Sequence, residues 1–238
     1  MVDKVAAISF WYGNWPEDDP SRGMDYVRRL KGSLYRNLTT EDVDFILITD
    51  SDNCNLVPPD IETKTLPLEY ETLQWNLKKL YMFNDHSGLD SYDWIVCLDL
   101  DMVICGPVDF LFSGFGKDEK RMITCSGAYK PGMLGGSIVG FSPHSEWCER
   151  LTNSLRTKRY WWSRMTHGSE RVFYRLFFTS GFVAAWQDLF PGKILSYKID
   201  GGPKEDGSTS IVRFHGKPRP HQLLIQESPE WMIRNWRE

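Results

Sequence analysis

The sequence predicts an α/β protein, a single domain over residues 1–238 built on a mixed, mostly parallel sheet. Three observations carry this. Short apolar runs alternate with helical stripes through the first hundred residues. The fourth run ends in two aspartates, and the second half mixes strand and helix signals more loosely. A chain of 238 residues is long enough to bury a sizeable core.

The elements are read in order. Residues 5–10 (VAAISF) form a short apolar run, as a strand buried on both faces does. Met24, Val27, Leu30, Leu34 and Leu38 recur at steps of three or four, the stripe of an amphipathic helix. Residues 45–49 (FILIT) give a second buried strand, stopped by Asp50-Ser51-Asp52-Asn53, and residues 65–68 a short third. Leu73, Leu77, Leu80, Tyr81 and Phe83 place a helix at 71–84, and residues 92–104 read as one strand through Asp99 and Asp101. Further strands are expected at 122–126, 137–141 and 211–214. Helices are expected at 144–156 and 169–178, with a short one opened by Ser228-Pro229-Glu230.

Composition narrows the function. Lys and Arg number 28 against 32 Asp and Glu, a net charge of -4, which lacks the basic excess of a general nucleic-acid binder. No run approaches the ~18 apolar residues of a membrane-spanning helix, and the first residues lack a signal-peptide pattern. Five cysteines without a CxxC pair argue against a zinc site or a disulfide framework. A reducing, cytoplasmic setting is the expectation. Residues 156–164 (RTKRYWWSR) are basic and aromatic; they suit a solvated helix end, with peripheral membrane contact as the other reading.

The most informative motif is Leu98-Asp99-Leu100-Asp101. Acids two apart in extended chain point to one side, and ligands of open α/β sheets bind beyond the carboxyl ends of strands. Two carboxylates so close repel unless a cation lies between them. Mg²⁺ or Mn²⁺ suits that place, held by one or two carboxylates and the oxygens of a diphosphate. Two enzyme classes carry such a motif. Haloacid-dehalogenase-type phosphatases would use Asp99 as nucleophile and Asp101 as acid/base, but there the motif ends the first strand of the core. Nucleotide-sugar glycosyltransferases place it after a nucleotide-binding half, as here.

The order of further motifs makes the likeness specific: Ile48-Thr-Asp-Ser-Asp52, Lys79-Leu-Tyr-Met-Phe83, Gly106-Pro-Val-Asp-Phe-Leu111, Gly135-Gly-Ser-Ile-Val-Gly-Phe141, His167-Gly-Ser-Glu170 and Phe214-His-Gly-Lys-Pro-Arg-Pro220. The chain resembles bacterial-type GT-A glycosyltransferases related to family 8, the glycogenin-like and lipopolysaccharide galactosyltransferase-like enzymes. The resemblance implies a Rossmann-like GT-A domain, with 1–101 as its nucleotide-binding half and 102–238 as its sugar- and acceptor-binding half. It implies a nucleotide-sugar donor, UDP-linked by preference, an unidentified hydroxyl acceptor, and Mn²⁺ or Mg²⁺ on Asp99 and Asp101.

By the same resemblance Ser9, Phe10 and Tyr12 hold the base and ribose, Asp50 approaches them, and Lys79 and the Leu100 segment lie along the donor. Gly135, Gly136 and Ser137 let the sugar come close to the backbone. In the family a segment H-x-x-G-x-x-K-P-W supplies a metal-ligand histidine and a phosphate-binding lysine. Here Arg213 stands at that histidine position, His215 lies beside the glycine as the substitute ligand, and Lys217 and Arg219 face the diphosphate. Glu170 stands where the family has Gln and is the catalytic candidate, either as a base or as a donor-sugar contact. A silent sugar-nucleotide binding module would keep the fold without turnover.

Overall fold

The chain is described from a computed structural model that covers residues 4–16, 19–39, 42–73, 75–127, 134–157, 182–227 and 229–238. Its first strand, β1 (Val5–Trp11), is buried along its whole length because both of its faces are covered. Val5, Ala7 and Trp11 enter one core and Ala6, Ile8 and Phe10 the other. That split is the period of two of an extended chain.

Around β1 a seven-stranded sheet assembles in the order β3-β2-β1-β4-β7-β6-β8. The strands are β2 (Val43–Thr49), β3 (Glu62–Thr65), β4 (Trp94–Leu98), β6 (Met122–Ser126), β7 (Leu134–Phe141) and β8 (Val183–Ala185). β3, β2, β1 and β4 run parallel, β7 is antiparallel to β4 and to β6, and β8 is parallel to β6. The sheet is therefore mixed and mostly parallel, as the sequence predicts. β5 (Met102–Ile104), β9 (Ile194–Ser196) and β10 (Ile211–Arg213) form a smaller sheet in the order β5-β10-β9.

One face of the large sheet is covered by α1 (Gly23–Arg36), which buries Tyr26, Val27, Leu30 and Leu34. The expected stripe is there, except that Leu38 lies past the helix end, where the Asn37 amide donates to the Leu34 carbonyl at 3.0 Å. The opposite face is covered by Leu77, Leu80, Tyr81 and Phe83, together with Trp147 and Leu151 of the helix Glu146–Thr157. A close approach is decisive at Gly140 of β7. A Cβ there would lie 2.5 Å from Trp94 Cζ2 and 2.7 Å from Trp186 Cζ2, both rings fully buried.

Three expectations need correction. The strand at 92–104 is two strands, because the chain leaves the large sheet at Asp99 and joins the small one at Met102. β3 lies at Glu62–Thr65 rather than 65–68; it is a polar edge strand, and Pro67 then starts a short helix at Leu68. The stretch 71–84 holds a 3-10 helix, Trp75–Phe83, in place of an α-helix. Beyond β10 the chain enters a helix, Pro220–Gln226, with proline at its first position. The helix expected at 169–178 lies outside the described residues, as do residues 158–164 of the basic-aromatic stretch.

Candidate active site

The two sheets meet at the acid pair. The Asp99 amide donates to the Ser137 carbonyl at 2.9 Å, extending the β4–β7 ladder by one residue, and the Phe214 amide donates to the Asp101 carbonyl at 3.0 Å, extending β5–β10. Leu100 between them is buried in the core. Each carboxylate is thus fixed by a backbone that belongs to a different sheet, at the carboxyl edge of β1 and β4 where an α/β sheet binds ligands.

Cations surround this junction. The Lys79 ammonium, buried in the 3-10 helix Trp75–Phe83, pairs with Asp99 Oδ1 and donates to the Gly136 carbonyl at 3.3 Å. Burial opposes its charge, but the Asp99 carboxylate outweighs that and the Lys79 pKa rises. Arg219 Nη1 lies 3.9 Å from Asp101 Oδ2, and its guanidinium sits 5.1 Å from the Trp15 ring. Burial first and the Asp99 charge second push the Asp101 carboxyl well above the ordinary carboxylate range, with Arg219 and Lys79 pulling it down.

Arg213 is the residue the sequence reading left out of the site. It is 3 % exposed and gives one Nη to Ser137 Oγ at 2.9 Å and the other to the Ser126 carbonyl at 3.4 Å. It therefore pins β10 of the small sheet to β7 and β6 of the large one, directly behind the acid pair. Its signal was an arginine inside the apolar run 211–214. His215, two residues on, has a pKa lowered to about 4 by burial, Arg213 and Lys198, so its imidazole is neutral, but it does not converge with Asp99 and Asp101 as the substitute ligand the sequence suggested.

The remaining candidates divide by burial. Gly135, Gly136 and Ser137 are buried along β7 beside Lys79 and Arg213. Tyr12 is half-buried at the end of β1 with the Lys78 ammonium 5.2 Å from its ring; burial lifts its hydroxyl to about 12 against the opposing pull of Lys79, with Asp99 adding to the rise. Ser9 is fully buried and donates to the Leu98 carbonyl at 2.8 Å, and Phe10 packs in the core, so neither side chain opens to the crevice. Asp50 is held by structural bonds: its Oδ1 accepts from the Asn53 amide at 3.0 Å and its Oδ2 from the Gly13 amide. That binds the turn after β1 to the turn after β2. Lys217 is exposed on the turn at Gly216, whose φ is +69°. Glu170 lies outside the described residues. His221, next to the basic run, points away: its Nδ1 lies 2.6 Å from the Tyr26 hydroxyl in the core.

Among the described residues no three His, Cys, Asp or Glu side chains converge as a metal cage. Two carboxylates suit a hard divalent ion that takes its other ligands from phosphate and water, so the donor set fits Mn²⁺ or Mg²⁺ bound together with a diphosphate.

Comparison with solved structures decides the architecture. LgtC, a galactosyltransferase in complex with donor and acceptor sugar analogs, superposes with a TM-score of 0.62 at 10% identity over 96% of this chain and 94% of LgtC. This chain has the GT-A fold. An active-site mutant of LgtC gives 0.60 at 10% identity, over 90% of this chain and 89% of that one. The glycosyltransferase GlyE of Streptococcus pneumoniae TIGR4 gives 0.59 at 14% identity, over 97% of this chain and 60% of GlyE. No protein-family model and no curated protein matches the sequence. At such identities the GT-A likeness rests on backbone geometry. No helix among the described residues is long and apolar enough to cross a membrane.

Proposed function

We propose that this protein transfers a sugar from a nucleotide-diphosphate donor, UDP-linked by preference, to a hydroxyl acceptor. The observation that carries the reading is the pair Asp99 and Asp101 at the junction of two sheets, faced by Lys79 and Arg219, with Arg213 bonded to Ser137 beside them. Both LgtC and GlyE are glycosyltransferases on this fold, and LgtC has been seen with sugar analogs bound. In phosphatases of the haloacid-dehalogenase type the acid pair ends the first strand of the core, whereas here it follows the fourth, which disfavours that reading.

Glycosyl transfer builds negative charge on the leaving diphosphate. A divalent Mn²⁺ or Mg²⁺ would be held by Asp99 and Asp101, without His215, which does not converge with them, and would supply Lewis-acid stabilisation of that charge. Lys79, Arg219 and the exposed Lys217 add fixed positive charge on the same side. Gly135 and Gly136 offer the sugar a floor without side chains, and Arg213 holds Ser137 in place beneath it. Tyr12, at the end of β1, presents its ring to the base.

The direct test is a thermal-shift panel of nucleotide sugars with and without Mn²⁺. A UDP-sugar at about a hundred times its Kd is expected to add ~2.7 kcal/mol, a rise of about 5–10 °C for a chain this long, and only with the metal present. No metal-dependent shift with any nucleotide sugar would overturn the proposal. Binding without transfer to a broad acceptor panel would instead mark a silent binding module.

Glu170 is proposed as the group that acts on the acceptor proton or the donor sugar. Glu170→Gln is expected to lower kcat by about 10²–10⁴-fold with donor affinity unchanged if it is the base. If it binds the sugar, donor affinity falls with the rate. An unchanged rate and affinity remove it from the site.

A further inference from the structure

Both acids of the pair already face cations of the chain itself. Lys79, from the 3-10 helix ahead of β4, occupies Asp99, and Arg219, at the start of the helix Pro220–Gln226, lies 3.9 Å from Asp101. The two cations come from either side of the acids in the sequence, and neither belongs to β4 or β5, between which the acids lie. They are also shielded: the side chains of Lys79 and Arg219 are 6% and 12% exposed, those of Asp99 and Asp101 26% and 18%. Pairing of this kind keeps two like charges from facing each other in a poorly solvated place.

A divalent ion seated on both carboxylates requires the places that these cations hold. Two positive side chains and a metal cannot share two carboxylates without strong repulsion, unless further negative charge arrives. A diphosphate supplies that charge, and the long stems of Lys79 and Arg219 let their heads swing from carboxylate to phosphate. Arg213 stays where it is, anchored to Ser137 and Ser126, and keeps the junction rigid during the exchange.

We propose that Lys79 and Arg219 are built-in counter-ions that hold the acid pair in the absence of donor and pass to the diphosphate when a metal takes their place. Metal and nucleotide then bind as one unit: either alone is weak, and each raises the affinity for the other by the same factor. This rests on the proposed donor class, and it adds an order of events that the donor class does not require.

The test is Mn²⁺ binding followed by the electron paramagnetic resonance signal of the hydrated ion, with and without UDP, in the wild type, Lys79→Met and Arg219→Gln. In the wild type UDP is expected to tighten Mn²⁺ binding by about 5–150-fold, the usual range of coupling between sites. Lys79→Met removes the ion that competes for Asp99. It is expected to bind Mn²⁺ alone about tenfold tighter or more, to show less coupling to UDP, and to gain more in Tm from Mn²⁺ alone than the wild type does. Arg219→Gln, which removes the longer of the two contacts, shows the same change at smaller size and serves if Lys79→Met does not fold. Equal Mn²⁺ affinity with and without UDP in the wild type, or weaker Mn²⁺ binding in both variants, overturns the exchange and leaves the donor reading standing. Failure of UDP and Mn²⁺ to bind in any combination overturns both.

Discussion

Asp101→Asn is expected to make the protein more stable and to stop sugar transfer. The two effects have one cause. The Asp101 carboxyl is pushed up by burial and by Asp99, against the weaker pull of Arg219 at 3.9 Å and of Lys79. A carboxyl whose pKa is higher folded than unfolded takes up its proton more readily in the native state. Stability therefore falls as pH rises from about 4 through the raised value and stays low above it. Asparagine keeps the shape and removes the charge, so the variant loses that pH dependence. Its Tm at pH 8 is expected to exceed that of the wild type by about 3–6 °C, corresponding to about 1–2 kcal/mol, and the difference is expected to vanish near pH 4. In the same protein sugar transfer falls by about 10²–10³-fold or more, the scale of losing one group that stabilises developing charge. Melting curves across pH and a transfer assay check both halves. A variant less stable than the wild type at pH 8 contradicts the electrostatic account, and one that still transfers sugar contradicts the metal role of Asp101.

The second large effect is on the fold. Gly140→Ala places a methyl between Trp94 and Trp186, two rings that pack with Phe115 across the end of the large sheet. Both rings are fully buried and Trp94 is held by a 2.9 Å bond from its Nε1 to the Leu111 carbonyl, so neither yields at low cost. Overpacking of this kind costs about 2–3 kcal/mol, a loss of about 5–10 °C in Tm, and Gly140→Val costs more. In a Trp94→Phe background, where the six-membered indole ring no longer meets the new methyl, the cost of Gly140→Ala is expected to shrink. The same cost in both backgrounds would show that the strain lies elsewhere. Because β7 also carries Gly135, Gly136 and Ser137, a shift at Gly140 reaches the floor of the crevice along one strand.

What was legible in the sequence was what depends on neighbours in the chain. β1, β2 and β4 are apolar but for Ser9, Asp44 and Thr49 because both faces of those strands are covered, and α1 repeats its apolar residues at helical spacing; such patterns are local and survive without the fold. The acid pair was legible for a related reason, since two charges at the end of a buried strand are costly without a purpose. β3, β8 and β9 were misplaced or missed because they are short, and their order comes from the strands beside them. The 3-10 helix that carries Lys79 shares its apolar spacing with an α-helix, and packing on the sheet selects between them.

The sequence by itself determined the fold class, the carboxyl-edge location of the acids and the basic character of residues 213–221. The tertiary structure alone decided which charges meet. Lys79 is twenty residues from Asp99 and Arg219 more than a hundred from Asp101, and Arg213 is joined to Ser137 across two sheets. Electrostatic interaction depends on distance in space and on burial, neither of which a linear pattern records. That is why an arginine set in an apolar strand read as part of a basic loop, and why the acid pair read as open when two of the protein's own cations already face it.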